Sequence, residues 1–92
     1  MPILNSQITL SDTTRTVIVG IDNMPHDVTI HNMTKSSNEY IHLGNESMTL
    51  LNSIHIDPGE TIQLTILPGD ALYGMSDPDG LVAGVLDIQR TD

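Results

Sequence analysis

Two Pro-Gly turns constrain this chain more than any other feature. Asp57-Pro58-Gly59-Glu60 and Leu67-Pro68-Gly69-Asp70 bracket the segment Thr61-Ile62-Gln63-Leu64-Thr65-Ile66. Pro presets φ at the first central position of a turn, and Gly supplies positive φ at the second. Between the turns, Ile62, Leu64 and Ile66 alternate with Thr61, Gln63 and Thr65, so one face is apolar and the other is wet. A short alternating segment closed by a tight turn at each end is the grammar of a small antiparallel β-domain.

The same grammar runs along the whole chain. Strands are predicted over Gln7 to Leu10, Arg15 to Ile21, His26 to Met33, Tyr40 to Leu43, Glu46 to Leu51, Ser53 to Ile56, Thr61 to Leu67, Ala71 to Met75 and Leu81 to Ile88. Val28 and Ile30 are expected to face the core, with Thr29 and His31 facing out. Gly44, Pro58, Gly59, Pro68, Gly69 and Gly80 mark turns, and Asp77-Pro78-Asp79-Gly80 reads as a hairpin turn. No segment carries a helical apolar stripe. The fold class is all-β: a small antiparallel sandwich or flattened barrel of eight to nine short strands. Residues 8–88 form that domain, preceded by an N-terminal arm at 1–7 and followed by a C-terminal tail at 89–92.

Composition sets limits on function. The chain has 92 residues, no Cys, no Trp, no Phe and two Tyr, so its core must be built from aliphatic side chains and Met. A chain of this size buries only about 60–65% of the surface its unfolded form exposes, and a thin core favours association with other subunits. Disulfides and thiolate metal sites are excluded. Twelve acidic residues against three basic ones give a net charge of −9. That balance opposes binding to nucleic-acid phosphates, which requires Lys and Arg, and opposes attraction to anionic membranes.

Several segments, taken in order, carry a resemblance. Val28-Thr29-Ile30-His31-Asn32 is followed by Tyr40-Ile41-His42-Leu43-Gly44, then Met48-Thr49 and Asn52, then Pro58-Gly59-Glu60 and Gly69-Asp70-Ala71-Leu72-Tyr73. This order resembles small accessory proteins of tailed-bacteriophage virions, the β-sandwich proteins that decorate or cement a capsid. The resemblance runs from Gln7 to Ile88 and departs from the pattern in the polar stretch Thr34 to Glu39.

The resemblance implies a structural virion protein on the outer capsid surface, made in the host cytoplasm. It implies binding across joints of the major capsid protein and a homotrimer on the particle. The alternative is a tail-associated or adhesin-like module that binds a host-surface ligand. The arm residues Ile3 and Leu4, the loop residues Lys35 and Glu39, Tyr73, and the turn residues Asp77 and Asp79 are the candidate interface, because loops on a rigid sandwich carry binding.

No residue pattern points to catalysis, a cofactor or a metal, and the chain is read as a non-enzyme. His31, His42 and His55 each follow an Ile, which places the three imidazoles on one outer face if each Ile turns inward. Their spacings match no metal motif, so they are read as solvent-facing or interface histidines. Asp77-Pro78-Asp79-Gly80 opens like a calcium loop but lacks the distal ligands.

Overall fold

A computed structural model describes residues 3–89. Met1, Pro2 and residues 90–92 lie outside the described residues, and with them parts of the expected arm and tail. The described residues form eight strands: β1 (Ile3–Thr9), β2 (Thr16–Val19), β3 (His26–Asn32), β4 (Tyr40–Gly44), β5 (Ile54–Ile56), β6 (Thr61–Ile66), β7 (Leu72–Asp77) and β8 (Val82–Gln89). They form two four-stranded antiparallel sheets, ordered β1-β8-β3-β6 and β2-β7-β4-β5. The fold is therefore the expected all-β sandwich. Every connection except β4–β5 crosses from one sheet to the other, and this strand order is that of an eight-stranded jelly roll.

The alternation read from the sequence explains the packing. In β3, Val28 and Ile30 turn inward while Thr29 and His31 turn outward. Ile41 and Leu43 of β4, Ile56 of β5, Leu72 of β7, and Ala83 and Val85 of β8 complete the core with Leu10, Val19 and Leu81. Ile62, Leu64 and Ile66 of β6 pack against this cluster from the sheet edge. Burial of a Val, Leu or Ile side chain is worth about 1.5–3 kcal/mol, so these residues supply most of the favourable term.

Four expectations are corrected. First, residues 3–7 are not a free arm: Ile3 to Thr9 pair with β8 residue by residue, from Ile3 opposite Ile88 to Thr9 opposite Val82. The apolar positions Leu4 and Ile8 have the strand period, and β8 offers an open edge. Gln89, assigned to the tail, ends β8. Second, 77–80 is not a hairpin turn. It carries the chain from β7 in one sheet to β8 in the other, as the two Pro-Gly turns also do for their strands.

Third, Gly44 does not define a turn by its backbone. It ends β4, and what it provides is space, because a Cβ there would meet Met48. Gly59, Gly69 and Gly80 do have positive φ (78°, 88° and 88°), as a tight turn requires. Fourth, 46–51 is not a strand. Only a single bridge, Thr49 to Asn52, forms there, and the segment folds back over the outer face of the β4 sheet.

The crossing connections sort the loops to two ends. Loops 20–25 and 67–71 meet at one end, where the Gly69 N–H donates to the Asp22 carbonyl at 2.8 Å. Loops 10–15, 33–39, 57–60 and 78–81 meet at the other. There the Gly80 N–H donates to the Leu10 carbonyl at 2.9 Å, and the Asn32 N–H donates to the Glu60 carbonyl at 2.9 Å.

Candidate functional site

Three groups of side chains stand out. The first lies at the 20–25 end. His26 opens β3 facing inward and is buried, with Nδ1 2.7 Å from Asp87 Oδ1 and Nε2 2.8 Å from Asp22 Oδ2. Gln89 Nε2 donates to the same Asp22 oxygen at 2.8 Å. Asp22 Oδ1 accepts from the backbone N–H groups of Asn23 and Met24. Only an imidazolium can donate from both ring nitrogens, so the cluster suits a charged His26.

Burial pulls the His26 pKa down, but the Asp87 and Asp22 carboxylates outweigh it and raise the value above the ordinary one. The hydrogen bond from His26 lowers the pKa of Asp22, against a smaller desolvation effect. With both nitrogens committed, His26 has no free lone pair to act as a base. The arrangement ties loop 20–25 to the end of β8.

The second group sits on the outer face of the β4 sheet. His42 and His55 are directly opposite each other on β4 and β5, with ring centroids 6.1 Å apart, and Tyr40 meets His55 edge-on at 5.3 Å. The 45–53 segment covers this face and buries Met48, Met75 and His42. Ser53 Oγ lies 2.9 Å from His42 Nδ1, and Arg15 Nη1 donates to the Met48 carbonyl at 3.2 Å. His42 Nε2 is buried with no hydrogen-bond partner.

Burial, and then the neighbouring His55, hold the His42 pKa below the ordinary histidine value, against an opposing pull from Asp77. The Ser53–His42 pair places a hydroxyl against an imidazole. Among the described residues no carboxylate bonds the second nitrogen to orient the ring as a nucleophile-activating dyad requires. Among the described residues, no set of three or more His, Asp or Glu side chains is placed to hold a metal ion.

The third feature is a cleft of about 450 Å³ at the 20–25 end, lined among others by Ile21, Glu46, Ile66, Asp70, Leu72 and Tyr73. Exposed apolar side chains occur at that end: Ile21 at 76% and Leu67 at 59% exposure in its loops, and Ile3 and Leu4 at the start of β1.

The structure divides the sequence-derived candidates between the two ends. Ile3 and Leu4 are exposed at the apolar end, and Tyr73 is half-buried on the outer face of β7, lining the cleft. Lys35, Asp77 and Asp79 are exposed at the opposite end, where Asp79 Oδ1 accepts from the Asp12 N–H at 3.0 Å. Glu39 is there too, half-buried, and its carbonyl accepts from Asn32 Nδ2 at 2.9 Å. The three histidines are not on one face. His31 is on the outer face of the β3 sheet, and His42 is buried rather than solvent-facing. Ile54 is itself exposed because β5 is a sheet edge.

Two residues with structural weight were missed from the sequence. His26 has a visible signal, since Asp22 precedes it by one turn-length and the strand parity points it inward. Asn32 shares the parity of Val28 and Ile30 and is fully buried. Its amide donates to the Glu39 and Ile56 carbonyls at 2.9 and 3.0 Å, and its Oδ1 accepts from the Thr34 N–H and hydroxyl. No protein-family model matches the chain, and no curated protein matches it.

Proposed function

We propose that this chain is a structural accessory protein of a tailed-phage capsid that docks on the assembled shell and stabilises it. The observation that carries the reading is a group of exposed apolar side chains at one end of the jelly roll. One end exposes Ile21, Leu67, Ile3 and Leu4; Ile21 lines a cleft there together with Glu46 and Asp70, and Asp22 and Asp87 are engaged by His26. The other end gathers Asp12, Glu39, Asp57, Glu60, Asp77 and Asp79. Exposed apolar side chains grouped at one end suit docking into a joint between capsid subunits. The order of segments that resembles small virion proteins supports the same reading.

Many copies on a shell act together, so weak individual contacts sum to a large stabilisation. The resemblance implies a homotrimer on the particle. Residues 3–7 are held in β1 by β8 and are not free to cross to a neighbouring subunit as an arm.

Co-sedimentation with undecorated shells tests the proposal. The protein should pellet with them, and Ile21→Asp with Leu67→Asp should abolish pelleting while leaving the circular dichroism spectrum unchanged. Failure of the intact protein to pellet with any shell would refute it and favour the tail-associated alternative.

A further inference from the structure

Among the described residues, no strand covers the outer edge of β1. Six of its seven residues are exposed, with Ile3 at 58% and Leu4 at 62%, and only Ile8 reaches the core. An edge strand presents unpaired backbone N–H and C=O groups to any chain that can align with it. Proteins guard such edges with charges, Pro, bulges or very short strands. β1 has none of these between Ile3 and Thr9. The first charged side chain in the sequence is Asp12, in a protein whose net charge is −9.

The strand is also its own complement. Its sequence Ile3-Leu4-Asn5-Ser6-Gln7-Ile8-Thr9 is nearly symmetric in chemistry about Ser6. Run antiparallel against a second copy with Ser6 at the centre, Leu4 falls opposite Ile8, Asn5 opposite Gln7, and Ile3 opposite Thr9. Directly opposed residues in an antiparallel pair share a face. Leu4, Ser6 and Ile8 all lie on the side of the core, so each Leu4–Ile8 pair would carry the core across the seam. The amides of Asn5 and Gln7 lie on the outer side, where they can bond one another.

We infer that β1 is a self-recognition edge: two copies pair their β1 strands antiparallel about a twofold axis at Ser6, joining two four-stranded sheets into one of eight. The other edge of that sheet, β6, has less to gain. Its Ile62, Leu64 and Ile66 are already half-buried in the core, and turns at Gly59 and Gly69 close both its ends. The inference does not depend on the capsid reading, because it concerns the free protein.

The seam is narrow for a protein interface, so the dimer is weak, in the micromolar range. Each copy carries the same large negative charge, so added salt should strengthen pairing. A basic foreign partner would show the opposite trend.

Sedimentation equilibrium of the free protein is the test. The wild type should dimerise, more tightly at higher salt. Asn5→Glu with Gln7→Glu places like charges opposite one another twice and should weaken the dimer on the order of tenfold. Thr61→Glu with Gln63→Glu adds the same charge to the β6 edge and should leave it unchanged.

Because the chain has no Cys, Ser6→Cys gives a second readout that adds no charge: mild oxidation should yield a covalent dimer, and Gln63→Cys should not. A wild type that stays monomeric through the millimolar range would overturn the inference. So would equal weakening by the two double variants, or ready cross-linking through Gln63→Cys.

Discussion

A methyl group on Gly44 would stand 2.7 Å from the Cβ of Met48, closer than two such carbons can approach. Met48 anchors the 45–53 segment to the outer face of the sheet, and its Cβ cannot move without the backbone that carries it. Gly44→Ala should therefore lift this segment and cost about 1–3 kcal/mol. Thermal melts would measure the loss. Peroxide oxidation of Met48 and Met75 should accelerate relative to exposed Met33, which serves as an internal standard.

Asn32 joins β3 to the 33–39 loop and to β5 through its buried amide. Asn32→Leu keeps the volume but leaves the Glu39 and Ile56 carbonyls without that donor. The expected loss is about 2–4 kcal/mol in denaturant melts. Asn32→Asp should be at least as damaging near neutral pH, because a carboxylate cannot donate to those carbonyls.

The two buried histidines give stability opposite pH dependences. His26 has a raised pKa in the folded protein, so its contribution is complete below the unfolded value of about 6.5 and is lost as pH rises through the folded value. Asp22 has a lowered pKa, so its contribution is present above about 3.8 and is lost as pH falls through the folded value. His42 is held neutral, so its contribution is present above about 6.5 and is lost as pH falls towards its folded value. The destabilisation caused by His26→Gln should therefore be largest at mildly acidic pH and shrink as pH rises. For His42→Gln the acid-side loss seen in wild type should flatten. Melts of the three proteins across the pH range would show whether the two curves separate this way.

Gly59 and Gly69 have positive φ and open surroundings: a Cβ at either position would meet no atom within 4 Å, so a substitution there tests backbone conformation alone. Gly59→Val and Gly69→Val should each cost about 1–3 kcal/mol in denaturant melts. Wild-type melting by both would contradict the turn geometry.

Ser76 is fully buried on the inner face of β7, and its hydroxyl has no hydrogen-bond partner. Ser76→Ala removes that group at little change in volume and should stabilise the fold by about 1 kcal/mol. A destabilised variant would mean that the hydroxyl is satisfied in solution.

Most strands were legible because alternation at period two is a strong local signal. Thr61 to Ile66 and His26 to Asn32 show it plainly, and Pro68-Gly69 fixes where a strand must stop. Sheet membership was not legible. A turn such as Asp77 to Gly80 looks the same whether it returns to its own sheet or crosses to the other, since the same residues satisfy both. The burial of His42 was hidden for a related reason. It depends on the 45–53 segment folding over β4, and no local pattern encodes that return. His26 required Asp87, which lies far along the chain, so its ion pair could be seen only once β3 and β8 were known to be neighbours.

The pairing of β1 with β8 also bears on how the protein is made. Of the described strands, β1 leaves the ribosome before the others and its partner β8 after them, and only β4–β5 can form as a local hairpin. A fold built from such distant contacts forms slowly. Throughout synthesis β1 waits with both of its edges open and no charge to protect them. Nascent chains on one message, held close together, would thus meet through β1 before any of them could close on itself.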